Sequence, residues 1–186
     1  MFEIHAALVG VDRLDRQMTQ LWCAAPQWAA TPGAGATSPW ACSTCGFALW
    51  IPVAALSVSK VGLYDDARFH GRLIVSLDEH FEHYDETDPT LLAAFMVDLQ
   101  LASRLLRKTF NVERVNIAML GNKDPHLHAH VIPRRVTDDN YGVSPWESVA
   151  PHSKLAAEDR TIIVDLLRQG FEEIAGPASG LSLLEQ

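Results

Sequence analysis

Three histidines alternate with apolar residues in one short run, His126-Leu127-His128-Ala129-His130-Val131. Side chains on a strand point to opposite faces in turn, so the three imidazoles share one face over about 13 Å while Leu127, Ala129 and Val131 share the other. Consecutive same-face imidazoles make a poor packing surface. The residue type suits acid or base work near neutral pH, nucleophilic attack through a free ring nitrogen, and metal ligation. Spacing alone leaves catalysis and a zinc site both open, because H-x-H on a strand can present two ligands to one ion. A second chemistry-bearing pair is Cys42-x-x-Cys45. Gly46 and Pro52 follow it, so it does not open a helix as a thioredoxin-like redox pair would. With Cys23 the chain has three cysteines, an odd count that points away from a disulfide framework and towards a reducing, cytoplasmic setting.

Composition bounds what can position these groups. The 186 residues are 48% hydrophobic and 20% charged, which suits one domain with a sizeable core and an extension. A net charge of −8 excludes a general nucleic-acid binder and an anionic-membrane binder, since both need many lysines and arginines. The first residues carry Glu3 and an early-broken apolar stretch, unlike a signal peptide, and no uninterrupted apolar run has the length of a membrane span. From Gln17 to Ser59 there is no Asp, Glu, Lys or Arg, yet four of the five tryptophans lie there. Its middle is rich in Gly, Pro and Ala, so residues 1–41 read as an N-terminal extension with a loop over 29–41 that needs cover from the main domain or a second subunit. Positive charge gathers instead around GNKDPHLHAHVIPRR.

Periodicity then supplies the elements. ALSVSKVGLY and GRLIVSL read as an antiparallel pair of strands, and Asp88-Pro89 reads as the capped start of a helix running to about Thr109, with Leu92, Phe95, Leu99, Ala102 and Leu106 inward. ERVNIAML and HLHAHVIP read as two further strands around the GNKD turn. A last helix over about 154–174 would bury Leu155, Ile162, Ile163, Leu166, Leu167, Phe171 and Ile174. The order implies an α+β domain over 42–150, an antiparallel sheet with helices packed on one face, and a C-terminal helix and tail over 151–186 packed on it.

The run His126 to Arg134 resembles the His-apolar-His-apolar-His motif of the histidine triad (HIT) nucleotide hydrolases and transferases. Asn116, ten residues before His126, fits that family, as do Leu63-Tyr64-Asp65 at a strand end and Gly71 nine residues before His80. The resemblance spans about 42–135. It implies that His128 attacks the α-phosphorus of a nucleotide to give a nucleotidyl-histidine that water cleaves, with His130 donating to a phosphate oxygen or organising the leaving group. It further implies that Asp65 bonds the ribose and that Asn116 and Asn122 contact phosphate, with Lys123, Arg134 and Arg135 near enough in sequence to balance phosphate charge. One branch of the family binds structural zinc through two cysteines and two histidines, here Cys42, Cys45, His80 and His126, a closed tetrahedral set with His83 as a near competitor for His80. Relatives commonly pair, so a homodimer is expected. The chain departs from the family at Gly71-Arg72, where Gly-His is common, and at GNKDP, where Lys123 replaces a hydroxyl. The implied activity is hydrolysis of a phosphoanhydride or phosphoramidate bond. The alternatives are nucleotidyl transfer to an acceptor other than water, zinc-stabilised nucleotide binding without turnover, and a metal-dependent hydrolase using all three histidines as ligands.

Overall fold

Each run of alternating apolar residues becomes a strand, and the strands hold together through one shared apolar face. The protein was analysed as a computed structural model that describes residues 40–175 and 182–183. The extension over 1–41 therefore lies outside the described residues, except for its last two. The strands are β1 (Ile51–Ala55), β2 (Ser59–Leu63), β3 (Leu73–Leu77), β4 (Arg114–Ala118), β5 (His128–Arg134) and the short β6 (Ser182–Leu183). They form one antiparallel sheet in the order β4-β5-β3-β2-β1-β6. Two helices, α1 (Pro89–Phe110) and α2 (Ala157–Ala175), cover one face of it.

The α+β expectation holds, and the first hairpin is where the detail differs. ALSVSKVGLY is not one strand: the chain turns at Leu56–Val58, closing with Leu56 N–H on the Ser59 carbonyl at 2.7 Å. The turn's polar groups are satisfied from a distance. Asp98 of α1, only 3% exposed, accepts from Ser57 N–H and Oγ, Val58 N–H and Ser59 Oγ. The preceding strand, β1, contains Pro52 and an irregular register between Pro52 and Ala54, features that disguise a strand in sequence.

Helix α1 begins as its sequence dictates. Asp88 caps it by accepting from Thr90 N–H at 2.8 Å and Leu91 N–H at 3.2 Å, Pro89 fills the first turn, and Asn111 ends it in the left-handed region. The helix is long and apolar enough to cross a membrane, but Phe95, Leu99, Ala102, Leu105 and Leu106 are buried against the sheet. In α2 the buried stripe is Ile163, Val164, Leu167 and Phe171, whereas Ile162 and Leu166 are exposed. Gly170 lets α2 lie close to α1, since a Cβ there would clash with Leu105 Cδ1. Both helices pack on Val53, Val61, Leu63, Leu73, Val75, Leu77, Leu127, Ala129 and Val131. All three histidines are thereby turned to the opposite face of the sheet.

Candidate active site and metal centre

Strand register fixes what surrounds the histidines. His130 of β5 pairs with Ile74 of β3, and His128 with Ser76, while His126 sits two residues before the strand begins. His128 Nδ1 lies 2.7 Å from the carbonyl oxygen of His126. A carbonyl only accepts, so Nδ1 carries a proton, and in the neutral ring Nε2 keeps its lone pair. The backbone thus selects the tautomer a nucleophile needs, and among the described residues no carboxylate is recruited to that nitrogen. Phe47 stacks on the rings of both His126 and His128, with 5.0 Å between centroids in each case, and restricts their rotation.

At the first histidine the chemistry differs. Cys42 Sγ lies 3.6 Å from His80 Nδ1, Cys45 Sγ lies 3.6 Å from His126 Nδ1, and all four ligand atoms fall within 4.8 Å of one another. Tetrahedral zinc with Zn–S of about 2.3 Å and Zn–N of about 2.0–2.1 Å places neighbouring S and N atoms about 3.6 Å apart, so the donor set fits that ion. The outer contacts fit as well. His126 Nε2 donates to the Leu77 carbonyl at 2.8 Å, which leaves Nδ1 free to ligate, and Glu82 lies 3.8 Å from His80 Nε2. Gly46, at φ +75°, shapes the turn that closes through Cys42 N–H on the Phe47 carbonyl. Burial opposes the Cys42 thiolate. The backbone of Cys45 and Thr44 and the side chains of Cys45 and His126 outweigh that cost and bring its pKa down to about 6. Burial and the adjacent Cys42 push Cys45 up.

The third histidine faces an arginine. Arg72, 5% exposed, donates through Nη2 to His130 Nδ1 at 3.1 Å and through Nη1 to Asp66 Oδ2 at 2.8 Å. Asp66, fully buried, also takes two bonds from the Arg68 guanidinium, each 2.9 Å. Although burial works against ionisation, these cations hold the Asp66 carboxyl below its usual range. The Arg72 guanidinium lies over the Tyr64 ring, 4.1 Å from its centroid, and 5.8 Å from that of Trp146. Burial first, then the charge of Arg72 and the neighbouring His128, lower the His130 pKa to about 3.

His128, His130 and Arg72 open into a cavity of about 290 Å³, near the lower bound of small-molecule sites. Phe47, Trp50, Tyr64 and Trp146 give it aromatic walls, and Trp50 stacks on Tyr64 at 4.3 Å. Trp146 reaches the cavity through a loop built on Arg134. That side chain, 1% exposed, bonds to Asp138, Asn116, Val143 and Asn140, and Ser144 and Glu147 then form a capping box around the single turn that carries Trp146.

The structure therefore brings His128, His130, Asn122 and Lys123 to one cavity, the latter two exposed at its mouth. Asp65 and Asn116 are elsewhere. Asp65, expected at the ribose, accepts from the Leu155 N–H at 2.8 Å and faces Arg160 at 3.9 Å, which ties the start of the C-terminal segment to β2. Asn116 accepts from Arg134, and Arg134 itself is a buried loop organiser, not a phosphate cation. His80, not His83, joins the metal cluster. Sequence reasoning missed Tyr64, Trp50, Phe47 and Trp146 as cavity walls. The one signal for Trp50 was its place in an uncharged stretch, and Trp146 had none.

Antiparallel sheet, one-sided helices and an H-x-H-x-H strand beneath a cavity define a class of protein, and known proteins agree. The HIT domain family model matches residues 63–137, a span that contains His80 and the histidine row but not the two cysteines. Over those residues the chain is similar to the histidine triad family. A histidine triad protein from Sinorhizobium meliloti is 26% identical, with a TM-score of 0.59, over 64% of this chain and 88% of its own. One from Bradyrhizobium japonicum is 27% identical, with a TM-score of 0.59, over 64% and 89%. A zinc-bound histidine triad family protein from Mycobacterium smegmatis shares the fold at 22% identity and a TM-score of 0.52, over 66% and 84%.

Proposed function

We propose that the protein is a nucleotide hydrolase that cleaves a phosphoanhydride or phosphoramidate bond at the α-phosphate through a covalent nucleotidyl-His128. The observation that carries this reading is the 2.7 Å bond from His128 Nδ1–H to the His126 carbonyl, which makes Nε2 the lone-pair nitrogen of the neutral ring, on the cavity that His128 lines. In the first step Nε2 attacks the α-phosphorus, a P–N bond forms, and the bond to the leaving group breaks with its electron pair on the departing atom. In the second, water attacks phosphorus, the P–N electron pair returns to Nε2, and the water proton passes to solvent. His130 donates a hydrogen bond to the phosphoryl oxygens, whose charge grows in both transition states. Lys123 and Asn122 at the mouth meet the phosphates, and the aromatic walls stack on the base.

The Cys42, Cys45, His80 and His126 set holds one structural zinc on this reading. The fit of the four donors supports it, and a member of the same fold carries zinc. A closed four-ligand site supplies folding energy and no open position for a catalytic water. The protein acts in the cytoplasm as a homodimer, with β4 an available pairing edge because, among the described residues, it bonds to β5 alone. Light scattering near twice 20.5 kDa is expected. A steady 20.5 kDa across concentrations contradicts the dimer.

The test of function is turnover of adenylylated and guanylylated compounds by wild type and His128→Ala. The variant should bind nucleotide and lose roughly 10⁴-fold or more in kcat, as expected when the nucleophile is removed. Reaction through two displacements retains configuration at phosphorus. Inversion contradicts it.

A further inference from the structure

The bond between Arg72 and His130 decides what His130 can do. Guanidinium has donors and no acceptor, so His130 Nδ1, 3.1 Å from Arg72 Nη2, must keep its lone pair. The ring proton is then on Nε2. An imidazolium would need a proton on the nitrogen that Arg72 occupies, and it would place two cations in contact. Arg72 is itself held from behind: Asp66 fixes Nη1, Tyr64 lies under the guanidinium, and Arg68 closes the other side of Asp66. Two cations share one buried carboxylate, so one positive charge remains beside the cavity. Arg72 Nε is buried with no hydrogen-bond partner among the described residues.

We infer that Arg72 is a positioning residue that locks His130 as a neutral Nε2–H donor, and that the lock selects nucleotides whose leaving group departs as an anion, phosphoanhydrides over phosphoramidates. The inference rests on the proposed nucleotidyl transfer to His128 and narrows its substrate. When the P–O bond of a phosphoanhydride breaks, the electron pair stays on a phosphate oxygen, which is stable without a proton and is favoured by the residual positive charge. When the P–N bond of a phosphoramidate breaks, the departing nitrogen needs a proton as it leaves. The groups facing His130 are Arg72 at the start of β3, Tyr64 after β2, His128 on β5 and Trp146 on the loop after it. Tyr64 carries an O–H that no hydrogen bond among the described residues fixes in place, Trp146 has no acidic proton, and the bond to the His126 carbonyl occupies the Nδ1 proton of His128. Lys123 at the mouth is exposed, and among the described residues no bond fixes its ammonium, so it is a proton donor without a set position.

The test uses the full chain with its metal, labelled with 15N at histidine. Long-range proton–nitrogen spectra should give His130 as the Nε2–H tautomer with no titration between pH 5 and 9. In Arg72→Gln, where Arg68 still pairs Asp66, the His130 midpoint should rise above that of the wild type, only part of the way because burial remains, and the ring should no longer be held as the Nε2–H tautomer alone. Arg72→Lys keeps the charge and loses the fork, so it should release His130 as well and separates the lock from charge alone. For activity, kcat/KM is compared for diadenosine triphosphate and adenosine 5′-phosphoramidate and their guanosine forms. Wild type should favour the anhydride by about 10²-fold or more, the typical worth of a positioned acid that is missing here. Both variants should narrow that ratio by about tenfold or more. Wild-type His130 titrating near 6.5, an Nδ1–H tautomer, equal use of both compounds, or an unchanged ratio in Arg72→Lys would each overturn the inference. Failure of nucleotidyl transfer is distinguishable: no adduct on His128 with either compound removes the selectivity along with that reading, while the spectra still decide the lock.

Discussion

His126 and His130 are the same residue type, four positions apart on one face, and they face different chemistry because of what grips their second nitrogen. At the cysteine end, the Leu77 carbonyl takes the proton of His126 Nε2 and turns Nδ1 towards thiolate sulfur. At the arginine end, a guanidinium takes the lone pair of His130 Nδ1 and turns an N–H into the cavity. His128, between them, has its tautomer set by the carbonyl of its neighbour. An imidazole in such a row is a ligand, a nucleophile or a donor according to its partner, and the histidine spacing alone does not say which.

Breaking the cysteine end should have the largest effect. Because metal binding by a structural site is folding energy, Cys42→Ser or chelation should lower the melting temperature by more than about 10 °C, with metal analysis giving about one zinc per wild-type chain. A metal-free wild type of equal stability contradicts the assignment. The arginine end should instead show itself through pH. His130 has a folded pKa of about 3 against about 6.5 unfolded, so the unfolded chain binds the extra proton between those values. Stability from this group is fully present above pH 6.5 and is lost as the pH falls towards 3. Arg72→Gln should flatten that part of the urea-midpoint profile in part, since burial remains. Between the ends, Trp146→Ala should raise KM about tenfold with kcat nearly unchanged, the scale of one base–aromatic stack. The smallest change is expected from Asp65→Asn, which should cost about 1 kcal/mol of stability through the Leu155 bond and leave kcat/KM within about twofold. A loss of tenfold or more would return Asp65 to the ribose.

Local patterns carried much of this into the sequence. Alternation in HLHAHVIP separates core from site face, Asp88-Pro89 marks the start of α1, and C-x-x-C with His80 and His126 gathers as the family pattern implies. What stayed hidden depends on partners far along the chain. The turn after β1 is satisfied by Asp98, about forty residues away, so ALSVSKVGLY looks continuous. Trp146 enters the cavity only because Arg134 is buried and bonded to its loop, and an arginine beside a histidine motif reads as a phosphate cation until its burial is seen. Asp65 matches the family position and spends its acceptor on Leu155, ninety residues on. Arg72 was visible as a departure, but its hold on His130 came only with the register that pairs Leu73 with Val131.

The central claim is that His128, and neither flanking histidine, accepts the nucleotidyl group. Rapid acid-free quenching during turnover of diadenosine triphosphate, followed by peptide mass analysis, reads it directly. The account predicts one nucleotidyl group on the peptide holding His126–Arg134, placed on His128 by fragmentation and absent from His128→Ala. An adduct on His126 or His130, or full turnover by His128→Ala with none, would contradict it.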